Sequence, residues 1–140
     1  MSRSGYTDDM DDPWAHIMWR GAVASAIRGK RGQAFLREML AALDALPEKR
    51  LIEEELAHAG EVCAIGAVGK AGNVPMESID PEDYGAIAAA FGIAEAMARE
   101  IMFMNDEGTM RREAPEERFA RMREWIVSQI DPPSNATEQA

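Results

Sequence analysis

EVCAIGAVGKAG, the stretch from Glu61 to Gly72, is apolar or small at nearly every position and carries no charge from Val62 to Gly69. A surface helix or strand shows charge on one side, so a segment with none on any side belongs inside. The segments before and after it are charged on one face only, which predicts that they wrap it. Its alanines favour a helix, although a short apolar run of this kind also fits a buried strand. In a helix Gly66 and Gly69 each cost about 1 kcal/mol relative to alanine. Their presence there implies close approach of another element.

Upstream of this centre, Asp12-Pro13 is a helix start, with an acceptor at the N-cap and proline at the first helical position. The spacing predicts a helix from Pro13 to Arg28 with Trp14, Ile17, Met18, Gly21 and Ala24 facing inward and Gly29 as its C-cap. After the turn Gly29 to Gly32, the residues Phe35, Leu36, Met39, Leu40, Leu43 and Leu46 form a stripe of 3.6-residue period that Pro47 ends. A further helix is predicted over Glu48 to His58, with Leu51, Ile52 and Leu56 inward, Glu53 and Glu54 outward, and Gly60 closing it.

Downstream, Gly72-Asn73-Val74-Pro75 reads as a loop. Asp80-Pro81 opens a short helix with Tyr84, Ile87, Ala88 and Phe91 on its inner face, and Gly92 breaks it. Ile93, Met97, Ile101 and Met104 line the next helix, from Ile93 to Met104, which Asn105 to Gly108 ends. Pro115 opens the last one, with Phe119, Met122, Trp125, Ile126 and Ile130 inward and Pro132-Pro133 at its end. These readings give an all-α fold, a single compact bundle of six or seven short helices around a buried apolar helix at about 61–71. The domain spans 12–131, between a flexible acidic arm at 1–11 and a disordered tail at 132–140.

A chain of 140 residues is one domain by its length. Its 15 Lys and Arg against 25 Asp and Glu leave a net charge of -10. Such a field repels nucleic acid and anionic membranes and attracts basic protein surfaces. No apolar run approaches the roughly 18 residues of a membrane span. The lone Cys63 allows no intramolecular disulfide, and the first residues carry aspartates where a signal peptide is apolar, so a cytoplasmic location is expected.

The candidate sites are few. Asn105-Asp106-Glu107 closes a helix with acids where the macrodipole favours cations, and this broken rule marks it, with Met102 and Trp19, as a partner-binding region. An alternative use of Glu100, Asp106 and Glu107 is as carboxylate ligands for a metal ion. Arg28, Lys30 and Arg31 cluster between glycines ahead of a helix N-terminus and form a candidate surface for an anion or an acidic partner. His58 and Cys63 are five apart, which is not a zinc spacing. No nucleophile, zinc or nucleotide signature occurs, so no catalytic residue and no cofactor is expected.

The blocks RGKRGQAFLREMLAALDALPEKRLI, EVCAIGAVG, EIMFMNDE and APEERFARMREWI resemble small helical proteins encoded in phages and prophages of proteobacteria, over about Trp14 to Ile130. The resemblance implies an accessory or early phage protein in the host cytoplasm and assigns no residue a role. The expected function is non-enzymatic binding of a basic host or phage protein, covering a surface that would otherwise hold nucleic acid. The alternatives are a small metal-binding domain or metal-dependent enzyme using the carboxylates of 100–107, and a structural component of the virion. The oligomeric state is not set by the sequence.

Overall fold

The computed structural model describes Arg3, residues 13–109 and residues 112–131. The expected cap Asp12 and nearly all of the expected arm and tail lie outside the described residues. Among the described residues the fold has six α-helices, one short hairpin and one 3-10 turn, in the order α1 (Pro13–Arg28), α2 (Lys30–Ala45), β1 (Ala57–His58), β2 (Glu61–Val62), α3 (Ala64–Ala71), the 3-10 turn (Met76–Ser78), α4 (Tyr84–Phe91), α5 (Glu95–Glu107) and α6 (Pro115–Gln129). The all-α expectation holds, and the apolar centre is α3, buried from Ala64 to Gly69. It packs chiefly on α2 and α5, while α1 lies on α5 and α2, α4 on α5, and α6 on α2.

The amphipathic stripes explain most of this arrangement. Leu36, Met39 and Leu43 of α2 are completely enclosed, as are Met97 and Ile101 of α5 and Met122 and Ile126 of α6. Each such side chain contributes about 1.5–3 kcal/mol relative to exposure. Gly29 directly follows α1, its N–H bonding the Ser25 carbonyl at 3.0 Å, as expected of a C-cap, and its extended backbone (φ -66°, ψ 163°) makes it the N-cap of α2 as well, so the expected turn shrinks to this one residue.

Two expectations are corrected. The helix predicted over Glu48 to His58 does not form, because its backbone bonds to other segments. The Leu51 N–H donates to the Pro115 carbonyl at 3.1 Å and the Ile52 N–H to the Val62 carbonyl at 2.9 Å, while the Leu56 carbonyl accepts from the Cys63 N–H at 3.1 Å. The segment ends in a hairpin pairing Ala57 with Val62 and His58 with Glu61, closed by Ala59 and Gly60, both at positive φ. The second correction concerns α1. Its inner face is Val23 and Ile27 with half-buried Trp19, whereas Trp14, Ile17 and Met18 are 66%, 60% and 58% exposed. The helix has apolar residues on both sides, and the core uses the other one.

The glycines of α3 behave as close packing requires. A Cβ on Gly66 would collide with the Leu56 carbonyl, which is backbone and cannot swing away; at Gly69 it would meet only the flexible tip of Met76. Gly66→Ala is therefore expected to destabilise the fold by about 1–3 kcal/mol in urea denaturation. Gly69→Ala should stay near neutral, because the helix-propensity gain of about 1 kcal/mol offsets a small shift of Met76. Equal costs at the two positions would contradict this packing.

Across the α2–α6 contact, Arg123 donates to both Asp44 oxygens at 2.7 and 3.0 Å. Hydrogen bonding to Arg123 holds the Asp44 carboxyl below its ordinary value of 3.8. The stabilisation from this pair is present above the unfolded carboxylate value and lost as pH falls through the depressed folded one. An NMR titration should place the Asp44 midpoint below 3.8 and return it towards that value in Arg123→Ala.

Candidate functional site

The last turn of α5 is where the chain's segments meet. Asn105 is 1% exposed. Its Oδ1 accepts from the Ala64 N–H at 3.1 Å, and its Nδ2 donates to the Ile52 carbonyl at 2.9 Å and to Asp106 Oδ1 at 2.8 Å. One amide thus joins α5 to the start of α3 and to the loop ahead of the hairpin. Buried amide atoms need such partners, since each left unmade costs about 1–3 kcal/mol.

Asp106 is equally engaged. Its carboxylate accepts from Arg3 Nε at 2.6 Å and Nη2 at 3.1 Å, and from the Glu54 N–H at 3.1 Å. Burial alone would lower the Arg3 pKa, but the adjacent Cys63 sulfur and the Asp106 carboxylate outweigh it and raise it, so Arg3 stays charged. From α6, Arg118 donates to the carbonyls of Asn105 and Leu51 at 3.1 and 3.0 Å. Arg121 donates to the carbonyls of Met104 and Asn105 at 2.6 and 3.2 Å and grips Glu113 at 2.6 and 2.9 Å. Acids at the end of α5 are tolerated because three guanidinium groups supply the positive charge that the macrodipole calls for.

The hub displays an acidic loop. Glu53, Glu54 and Glu55 are consecutive and exposed, and Glu54 sits at φ 67°, in the left-handed region that favours glycine. Its N–H is held by Asp106, and Glu53 Oε1 lies 3.4 Å from Arg118. A cavity of about 220 Å³ opens beside it, lined by Glu53, Asp106, Thr109, Arg112, Glu113 and Arg118. The loop can offer a cationic partner a row of carboxylates at a fixed bend. Its signal in the sequence is the run Glu53-Glu54-Glu55, which a helical reading disperses over a solvated face.

The other candidates fall elsewhere. Met102 is core at 1% exposure. Trp19 is half-buried, with the Arg99 guanidinium 4.6 Å from its ring centre and 4.3 Å from that of Tyr84. Glu107 ends α5, half-buried. Glu100 is bonded by Arg20 at 2.7 and 3.2 Å, so it does not join Asp106 and Glu107 in a carboxylate cluster. Among the described residues no group of three or more His, Cys, Asp or Glu could hold a metal ion. Cys63 is buried as the cap of α3, its sulfur accepting from the Gly66 N–H at 3.4 Å, and His58 is exposed beside Glu55. Arg28, Lys30 and Arg31 are exposed where α1 passes into α2. Among the described residues no helix is long and apolar enough to cross a membrane. No protein family matches the chain, and neither curated proteins nor solved structures give a match.

Asn105→Ala strands the Ala64 N–H and the Ile52 carbonyl together and is expected to lower stability by about 2–4 kcal/mol. Glu53→Ala, which touches only the exposed edge of the hub, should cost about 0–1 kcal/mol. Chemical denaturation of the two variants checks the ratio, and comparable losses would remove Asn105 from the centre of the network.

Proposed function

We propose that the protein is a non-catalytic binding module that docks its acidic loop onto a basic surface of another protein, within a phage or prophage setting in the bacterial cytoplasm. The observation that carries this reading is the loop itself, three successive exposed glutamates on a left-handed bend pinned by buried groups. A loop whose backbone is fixed before binding loses less conformational freedom when it docks. A chain of net charge -10 adds attraction that raises the rate of encounter with basic proteins. Carboxylates in a row can take the places that phosphates occupy on a nucleic-acid-binding surface. That mode of action makes the partner a protein that handles nucleic acid, in the host or in the phage.

The test is affinity capture from a bacterial host lysate at low and at high salt, with Glu53→Gln/Glu54→Gln/Glu55→Gln as the comparison. The parent chain should retain a basic protein at low salt and release it at high salt, since surface charges are screened beyond about 8 Å at physiological ionic strength. The triple variant, whose circular dichroism should match the parent, should not retain it. Retention that survives the substitutions or the salt would overturn the proposal.

A further inference from the structure

Charge is segregated along this chain. Between Pro13 and Arg37 it has five cations, Arg20, Arg28, Lys30, Arg31 and Arg37, and no carboxylate, so all 25 Asp and Glu lie outside that stretch. Within it, α1 turns an apolar stripe to solvent. Ile17 and Met18 lie three and four residues after Trp14 and four and three before Gly21, which places all four on one face, and Ser25 and Arg28 continue that line. Trp14, Ile17 and Met18 are more than half exposed, and a Cβ built on Gly21 meets nothing within 4 Å. Large side chains therefore stand at one end of the stripe and an open seat at the other.

The helix ends differ in charge as well. Arg20 meets Glu100 at mid-helix, and Ser25, Ala26 and Gly29 border the same cavity as Ile93, Ala94 and Met97, so α1 and α5 run antiparallel. The start of α1 consequently lies by Glu107, and Asp11 and Asp12 precede it in the sequence, whereas its other end leads into Arg28, Lys30 and Arg31.

We propose that α1 pairs antiparallel with α1 of a second copy of this chain, across a two-fold axis between Ile17 and Met18. In that register Trp14 of each copy falls opposite Gly21 of the other, large against small, and Ile17 falls opposite Met18. The basic end of each helix meets the acidic end of its partner, so opposite charges flank an apolar seam. A two-fold contact of this kind is self-complementary and closes at two copies. None of the seam residues Trp14, Ile17, Met18 and Gly21 belongs to the loop at Glu53 to Glu55, so this inference does not rest on the proposed function.

Sedimentation velocity of the full chain, from low-micromolar to near-millimolar concentration, tests it. A reversible monomer–dimer equilibrium that weakens in high salt is expected. Ile17→Asp should weaken the dimer roughly tenfold or more. Gly21→Leu should do the same by filling the seat of Trp14, while the melting temperature of the dilute monomer stays level or rises because the position is open. A chain monomeric over the whole range would overturn the proposal and leave the stripe to an acidic helix of a different protein. A dimer that ignores both substitutions would overturn it too, by placing the interface elsewhere.

Discussion

The side chain of Asn105 is the constraint on which the rest of this structure depends. Burial of an amide is tolerable only when its donors and acceptor are used, and here two of its partners are backbone groups from distant parts of the chain, Ala64 and Ile52, and the third is the adjacent Asp106 side chain. Meeting those demands fixes where α3 begins, how the loop after α2 runs, and where α5 ends. The loop at 51–56 has no regular structure of its own to hold its shape. Three of its backbone groups bond to the side chains of Asn105, Asp106 and Arg118 and three more to the backbone of Pro115, Val62 and Cys63, and this gives an irregular segment a defined course.

Electrostatics at the end of α5 follow the same logic. Carboxylates beside exposed helix carbonyls repel them, and a sequence reading takes the pair as an anomaly. In three dimensions Arg118 and Arg121 bond those carbonyls directly while Arg3 neutralises Asp106. The acids belong to a closed network, and what reaches solvent beside it is the neighbouring row of glutamates. A buried ion pair of this kind gains little net stability over an apolar equivalent but strongly penalises any arrangement that separates its members. Specificity of the loop's course is the physical return.

α1 illustrates the limit of periodicity as evidence. Trp14, Ile17 and Met18 on one side and Trp19, Val23 and Ile27 on the other are both spaced for a buried face. Which of them is buried is decided by the neighbours. Glu100 and Arg99 draw Arg20 and Trp19 onto α5, and the carbonyl of Ala26 meets α2 so closely that only glycine fits at position 32. Once those contacts are made, the opposite stripe is left in solvent.

The sequence by itself determined the helical class, the buried centre and the inner faces of α2, α5 and α6, because a 3.6-residue apolar period is a local property of the chain. It also placed Gly66 in close packing and marked Asn105 to Glu107 as a point of tension. It did not determine the hairpin, since Ala59-Gly60 lacks the Asn-Gly or Asp-Gly signal of a two-residue turn. Nor did it reveal that Leu51 to Leu56 forgoes a helix, because the competing partners, Pro115, Val62 and Asn105, lie distant in sequence or beyond the turn. The role of Arg3, one hundred and three residues from Asp106, is visible only once the chain is folded. Hydrogen bonds and ion pairs between distant residues leave no period in the sequence, and here they decide the course of the loop and which carboxylates the molecule shows to solvent.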